Sequence, residues 1–394
     1  MNQVDTLLAD LSPEGVPFRL VSDLAKYVRG LTYAKSDEES GGPIRVLRGK
    51  NVTLSSNRLN FDDVRTVTAT VRVRSDQYLK AGDILISAAS GSKAHVGKVA
   101  FVESDLDYCF GGFMAVLRSS GEVLPRFLFH LLVGRTFADY LEVKLDSTTI
   151  NNLSASVMGS FRIPVPPLEV QRAIVRILDN FTELEAELEA ELEARRNQYQ
   201  HYLATLTDFS SENRAIRWAR LGEVCTSFSG QFVRKDKQDP NFRFPVYNGG
   251  ASPTGYYSEP NAPAYSIAIS ASGSIGAVNW LDHTFYAGNS CHVIRSAIDG
   301  LDTKFLCFYL ASKQAELRAL GAVGSIPALN LKPLLDFKVP IPELGSQRGV
   351  VEALDKFDAL VNDLSIGLPA ELAARRKQYE YYRDKLLTFE EAPA

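Results

Sequence analysis

One stretch of this chain occurs twice. Pro166-Pro167-Leu168-Glu169-Val170-Gln171-Arg172 returns as Pro342-Glu343-Leu344-Gly345-Ser346-Gln347-Arg348. Further on, Leu178/Leu354, Asp179/Asp355, Phe181/Phe357, Leu184/Leu360 and Leu188/Leu364 pair at the same offset of 176 residues. Ala194-Arg195-Arg196-Asn197-Gln198-Tyr199 answers Ala374-Arg375-Arg376-Lys377-Gln378-Tyr379 at an offset of 180, so the second copy carries four extra residues between its blocks. A duplication of this extent constrains the fold more than composition does, because each half must form a similar structural unit.

Both copies read as long helices. Ile174, Leu178, Phe181, Glu185, Leu188, Leu192, Arg195, Tyr199, Tyr202 and Leu206 step alternately by three and four. That is the spacing of a coiled-coil seam rather than a broad core-facing stripe. Pro167 and Glu169 suit a helix start, where a proline forfeits no bonded N–H and a carboxylate meets the positive end of the dipole. In the second copy Val350, Leu354, Phe357, Val361, Leu364, Leu368, Leu372, Tyr379, Tyr382 and Leu386 repeat the pattern. Gly367 and Pro369 interrupt it and predict a kink. At 1.5 Å per residue each helix spans roughly 60 Å.

The segments leading into the helices also match. Ile44–Arg48, Val67–Val73 and Asp83–Ser87 read as strands, and Arg126 through Leu141 as a helix. Residues 215–341 repeat this recipe: Ile267–Ser274 aligns with Leu85–Ser92, Arg220–Val224 with Arg19–Leu24, and Phe305–Leu310 stands at the helix. Phe161-Arg162-Ile163-Pro164-Val165-Pro166 and Phe337-Lys338-Val339-Pro340-Ile341-Pro342 end the segments, their prolines forcing an extended lead into each helix. The expected fold is α+β: two globular, mixed, β-rich domains, residues 1–165 and 210–341, separated by two long helices, residues 166–209 and 342–394. Two lone amphipathic helices bury their seams most simply against each other. Under a pseudo-two-fold axis they run antiparallel as a coiled coil and hold one module at each end.

Charge is partitioned along this plan. The net charge is −4. The helical copies are acidic, with 4 Lys+Arg against 9 Asp+Glu in residues 169–209 and 7 against 10 in 343–394. Residues 1–168 carry 19 against 18 and residues 210–342 carry 13 against 10, which permits local basic patches but no generic polyanion binder. No apolar run is long enough for a membrane span, and the polar start Met1-Asn2-Gln3-Val4-Asp5 is no signal peptide. Cys109, Cys225, Cys291 and Cys307 lack zinc-ligand spacing and read as reduced thiols of a cytoplasmic protein.

Catalytic signatures are absent or only apparent. No GxxxxGK[ST], HExxH or GxSxG occurs. Asp239-Pro240-Asn241-Phe242 has the outline of an amino-methyltransferase motif but lacks its second proline and any glycine-rich cofactor loop, so a surface turn is expected. Asp139 with Glu142-Val143-Lys144 has the residue order of a metal-dependent nuclease, a tripeptide common on any exposed helix. His95, His130, His201, His283 and His292 show no ligand spacing, so neither a catalytic nor a metal site is expected.

Taken together, the chain resembles the specificity subunits of type I restriction–modification systems over nearly its whole length. The two Pro-Leu-Glu-x-Gln-Arg-like starts, the Ala-Arg-Arg-x-Gln-Tyr blocks and the ending Tyr381-Tyr382-Arg383-Asp384-Lys385-Leu386-Leu387-Thr388-Phe389 carry the likeness. So do Pro43–Val52, Phe244–Gly250 with Gly255-Tyr256-Tyr257, and Gly273–Val278, while Gly91–Gly97 of the first domain departs from the last of these. The resemblance implies two target-recognition domains, each reading one half of an asymmetric, bipartite site in double-stranded DNA. The helices would set the spacing and dock two DNA-adenine methyltransferase subunits, joined by restriction/translocase subunits. S-adenosylmethionine, ATP and magnesium would sit on those partners, with no cofactor on this chain and no membrane.

Arg and Asn read base edges bidentately while Lys mostly meets phosphate, which selects candidate DNA contacts. In the first domain these are Arg45, Arg48, Lys50, Asn51, Lys93 and His95; in the second, Arg234, Lys235, Lys237, Tyr247, Asn248 and Ser272. Candidates for the partner or helix interface are Gln171, Arg172, Arg195, Arg196 and Tyr199, with Gln347, Arg348, Arg375, Arg376 and Tyr379. The run Leu184-Glu185-Ala186-Glu187-Leu188-Glu189-Ala190-Glu191-Leu192-Glu193-Ala194-Arg195 is a four-residue repeat suited to a ruler. Two other classes share parts of this pattern: a protein-only coiled-coil adaptor and a stand-alone nuclease using Asp139, Glu142 and Lys144.

Overall fold

The computed structural model describes residues 15–54, 56–92, 95–146, 152–209, 216–321, 327–362 and 367–393. The chain divides into two compact units, Met1–Glu187 with Ala373–Ala394, and Leu188–Leu372.

In the first unit β1 (Phe18–Leu20) leads through a one-turn helix, α1 (Val21–Leu24), into β2 (Ala25–Arg29). Next come β3 (Ile44–Leu47), β4 (Arg65–Val67), β5 (Ile84–Ser87), β6 (Val99–Phe101), β7 (Cys109–Phe110) and β8 (Met114–Ser119). Helices α2 (Pro125–Val133), α3 (Arg135–Asp146) and α4 (Ala155–Gly159) precede β9 (Arg162–Pro164), which pairs antiparallel with β1. The strands form a four-stranded sheet in the order β2-β8-β5-β6 and a three-stranded sheet in the order β4-β3-β7. Every residue of Ile84–Ser87 is buried, the apolar run Ile84–Ile86 as a central strand should be and Ser87 as a buried polar end.

The expected strand Val67–Val73 ends at Val67. Beyond it Val71 N–H donates to Thr68 O at 3.2 Å and the Thr68 and Thr70 hydroxyls meet at 2.7 Å. Local bonds of this kind compete with a ladder. The expected helix through Leu141 breaks at Gly134, whose N–H caps α2 by donating to His130 O and Leu131 O.

The second unit repeats the order. It contains β10 (Arg217–Arg220), β11 (Cys225–Ser229), β12 (Phe244–Tyr247), β13 (Gly255–Tyr257), β14 (Ser266–Ser270), β15 (Val278–Leu281), β16 (Tyr286–Ala287), β17 (Cys291–Ser296) and β18 (Lys338–Ile341). Its sheets run β11-β17-β14-β15 and β13-β12-β16. Each is the counterpart of a first-unit sheet, down to the parallel pairs β3–β7 and β12–β16. The ladders fix the alignment: Ile84 faces Leu117 and Ile267 faces Ile294, while Ser87 faces Met114 and Ser270 faces Cys291. Ser87 therefore corresponds to Ser270. Matching Leu85–Ser92 to Ile267–Ser274 on their common Ser-Gly-Ser is one residue out of register, a slip that would turn every side chain to the opposite face.

Gly30 and Gly230 occupy the same corner. A Cβ on Gly30 would lie 2.0 Å from Gly111 O, and one on Gly230 would lie 2.1 Å from Gly288 O. Only glycine permits two backbones so close.

The duplicated segment begins with one continuous 39-residue helix, Leu168–Leu206. Its second copy appears as Leu344–Asn362 and Leu368–Leu386. Gly367 directly precedes the latter and Pro369 lies in its first turn, where proline costs no hydrogen bond; Leu364 lies outside the described residues. In the first unit Ile174 and Leu178 are fully buried in the domain core together with Leu386 and Leu387. Phe181 stacks on Tyr382 with centroids 5.5 Å apart and lies 6.5 Å from Tyr379, while Glu185 accepts from Arg376 Nε at 2.6 Å. Rising numbers on one helix thus meet falling numbers on the other, so these stretches are antiparallel. In the second unit Leu192, Tyr199 and Leu203 share a core with Val350, Leu354 and Val361, and Tyr202 lies 5.1 Å from Phe357.

Candidate functional site

Each domain is tied to its helix by one buried glutamine. Gln171 is fully enclosed, and its Oε1 accepts from Leu124 N at 2.8 Å. Its Nε2 donates to Pro166 O at 2.8 Å and Glu122 O at 3.3 Å. Gln347 is equally enclosed and makes the same three bonds with Asp302 N, Pro342 O and Gly300 O, at 2.8, 2.7 and 2.8 Å. A planar amide with one acceptor and two donors is used completely in both copies. Gln171 and Gln347, expected at a partner or helix interface, join each helix to its domain with the whole amide engaged.

Asp179 and Asp355 repeat the theme with charge. Asp179 accepts from Arg126 Nε at 2.8 Å and meets His130 Nε2 at 2.8 Å, while Asp355 pairs with Lys304 at 2.8 Å. His130 is fully buried, and burial lowers its pKa below 6.5 against the opposing pull of Asp179. Burial alone would raise the Asp179 carboxyl, but the bonds from His130 and Arg126 hold it below its ordinary 3.8.

The remaining helix candidates divide by exposure. Arg172, Arg196, Arg348 and Arg375 are exposed, and Arg195 is half-buried beside Gln198 Oε1 at 3.1 Å. Arg376 is half-buried on Glu185. Tyr199 and Tyr379, expected at a partner or helix interface, pack on the helix side: Tyr199 lies in the second core with Val350 and Leu354, where burial raises its hydroxyl pKa, and Tyr379 packs on the first core near Phe181 and His130.

The first domain opens a cleft of about 880 Å³ between the lips Leu31–Tyr33 and Gly111–Met114. Three sequence candidates, Arg48, Lys50 and His95, line it. They are joined by Lys35, Lys98 and Phe113, which sequence reasoning missed. Phe113 is 74% exposed, and only its place after Gly111-Gly112 at a domain corner hinted at that. Burial lowers the Lys98 amine, which donates to Gly49 O and Val52 O at 3.4 Å. Arg45 stands elsewhere, with Asp107 at 2.6 Å and its guanidinium 4.4 Å from the Tyr108 ring centroid. Lys93 lies outside the described residues.

Asn51 is corrected from contact to scaffold. It is fully buried, its Oδ1 accepts from Arg48 N at 2.8 Å, and its Nδ2 donates to Asn60 O at 3.1 Å and Asp63 O at 3.3 Å. Asp63 ion-pairs with Lys50, and its Oδ1 lies 3.8 Å from Arg48 Nη2. Arg48 Nε and Nη2 are buried without a hydrogen-bond partner. An unmade bond to a buried donor costs about 1–3 kcal/mol, more where the group is charged.

In the second domain Asn248 takes the place of Arg48, immediately after the matching strand. Asn248 Oδ1 accepts from Ser290 N at 3.1 Å, and Ser272 Oγ donates to Ser290 Oγ at 2.8 Å, so two candidates converge on a serine that sequence reasoning missed. Tyr247 is corrected: it is 8% exposed, set edge-on against Phe285, with His283 Nε2 at 3.4 Å. Arg234, Lys235 and Lys237 are exposed on a short turn beside Phe232, which is 71% exposed.

Asp139, Glu142 and Lys144 share one helix, Asp139 facing Arg135 at 3.7 Å. Among the described residues no group of three His, Cys, Asp or Glu side chains is placed to hold a metal ion. Asn241 N donates to Asp239 Oδ1 at 2.8 Å, the bond of an Asx turn. Burial pushes the thiol of Cys109 up to about 11 and those of Cys225, Cys291 and Cys307 to about 12, which disfavours the thiolate. No helix among the described residues is long and apolar enough to cross a membrane.

The family model described as the type I restriction modification DNA specificity domain matches residues 13–194 and 216–374. The EcoR124I/EcoR124II specificity subunit of Escherichia coli is 33% identical over 263 residues, covering 58% of this chain and 63% of that protein. Among solved structures, the type I restriction–modification S subunit from M. genitalium aligns with a TM-score of 0.60 at 19% identity, covering 95% of this chain and 96% of that one. A chain from a structural study of complex assembly and conformational transition in a type I system aligns with a TM-score of 0.63 at 20% identity, covering 95% and 98%.

Proposed function

The chain belongs to the type I restriction–modification DNA specificity family, and from that premise we propose that it is the non-catalytic subunit that chooses the DNA site for a methyltransferase and nuclease complex. One observation carries this reading. The two domains share strand order, glycine corner and glutamine clamp, yet present Arg48 from one and Asn248 from the other at the same position. One architecture with two different polar rims is what reading two different half-sites requires. Arg matches the O6 and N7 acceptors of guanine, and Asn matches the N6 donor and N7 acceptor of adenine. The remaining cations around each rim suit phosphates, which fix register without carrying sequence.

The same role accounts for the other parts. The long helix Leu168–Leu206 sets the spacing between half-sites. The exposed arginines Arg172, Arg196, Arg348 and Arg375 dock two DNA-adenine methyltransferase subunits, which restriction/translocase subunits join. S-adenosylmethionine, ATP and magnesium belong to those partners, and the complex works on DNA in the cytoplasm. Residues 1–165 and 210–341 are the recognition domains, with 166–209 and 342–394 as spacers.

The test is a methylome of hosts carrying Arg48→Gln or Asn248→Ala. Each bidentate contact contributes about 1–3 kcal/mol of discrimination, so each variant relaxes one half-site and leaves the other intact. Both variants altering the same half-site would contradict the assignment.

A further inference from the structure

Two cations of the first cleft, Arg48 and Lys50, share one carboxylate neighbour, Asp63. Asp63 holds Lys50 in an ion pair and stands 3.8 Å from Arg48 Nη2, too far for a hydrogen bond. Arg48 Nε and Nη2 together form one edge of the guanidinium fork, and both are buried and unbonded. That edge accepts a pair of oxygens or an oxygen and a nitrogen side by side. Asp63 is poised near this edge without completing it, and its side chain is 59% exposed, so it can leave. The arrangement is built in. Buried Asn51 fixes the backbone of Arg48 with its Oδ1 and that of Asp63 with its Nδ2, so one side chain sets the distance between cation and carboxylate.

We propose that Asp63 is an internal counter-anion that occupies the Arg48–Lys50 pair until a DNA acceptor pair, a phosphate or the O6/N7 edge of guanine, displaces it. The device rests on the DNA-reading role proposed above and adds its regulation. Random DNA leaves Asp63 in place and gains little from the two cations. A correct half-site brings the acceptor pair into register, completes the fork and releases the carboxylate to solvent. Asp63 thereby weakens the hold of the first domain on DNA, and the half-site bears the cost of displacing it. The second domain has Asn248 and Gly250 where the first has Arg48 and Lys50, so the device belongs to the first half-site alone.

The experiment measures affinity of the full-length chain, assembled with its methyltransferase subunits, for a duplex carrying its site and for a random duplex. Salt is varied over roughly 50–200 mM, where phosphate contacts dominate the dependence. Asp63→Asn should bind its site about tenfold more tightly and random DNA more tightly by no more than that, with a salt slope on random DNA steeper by about one. Asp63→Glu, which keeps the carboxylate, should behave as wild type. Unchanged or weaker binding to its site by a folded Asp63→Asn overturns the proposal. If Asp63→Asn does not fold, Arg48→Lys decides: it keeps the charge and loses the fork, so it should keep random binding and lose discrimination in the first half-site. Retained discrimination overturns the proposal. Replacing guanines of the first half-site by 7-deazaguanine, or its phosphates by neutral methylphosphonates, tells which acceptor takes the fork; a loss of affinity with neither also overturns it. A wild-type complex that binds neither duplex preferentially would instead defeat the DNA-reading role itself.

Discussion

Gln171 and Gln347 each hold a domain to its helix through three hydrogen bonds of one side chain. Replacing either by leucine removes three bonds and strands a half-buried N–H, that of Leu124 or of Asp302. The expected loss is about 3 kcal/mol per site, read as a lowered denaturant midpoint with little change of slope. A loss well below 1 kcal/mol would mean that the clamp is incidental. His130 makes stability depend on pH. Its folded pKa is depressed below 6.5, so the unfolded chain takes up the proton first. Its contribution is complete above that value and falls as pH drops towards the folded pKa. Asp179 is also depressed, but it adds its own loss only below 3.8. Denaturation series between these two values should show stability falling with acid, and His130→Gln should flatten that fall. At this scale the sequence was only partly legible. The glutamines stood out through the duplication, but apart from Pro166 and Pro342 their partners lie 45–49 residues away and carry no local signal. For the same reason Asn51 and Tyr247 looked like surface polar groups, although packing encloses both.

Elements were read more easily, because periodicity belongs to the segment itself. The seam residues Ile174, Leu178 and Leu192 are buried as their spacing required, with Leu203 enclosed in place of Tyr202, which is 37% exposed. Strands whose neighbours are all apolar, such as Ile84–Ser87, were equally plain. Val67–Val73 misled because its threonines favour strands by composition yet bond locally. The four-residue repeat between Leu184 and Arg195 lies within the uninterrupted helix. Deleting Leu188–Glu191 shortens that helix by about 6 Å, nearly two base-pair steps, and rotates its C-terminal portion by about 40°. The methylated motif of such a variant should keep both half-sites and show a shorter spacer. New half-sites with the old spacer would remove the ruler role.

For the molecule as a whole, the informative fact is repetition with local difference. Two units built on one strand order differ at the rims of their sheets, where Arg48, Lys50 and Phe113 face one cleft and Asn248, Ser272 and Ser290 meet in the other domain. Duplication was visible in the sequence because helix seams and clamps tolerate little change, whereas the rims had to be seen folded before their residues could be grouped. The net charge of −4 fits such a protein, since selective rims replace a general basic surface. The most direct measurement of its role is long-read methylation sequencing of a host carrying this gene beside its methyltransferase, compared with deletion of this gene alone. Loss of one bipartite N6-methyladenine motif on deletion is the predicted result, and it reads out both half-sites and the spacer. An unchanged methylome, with the methyltransferase expressed, would contradict the account and leave a protein-only adaptor in its place.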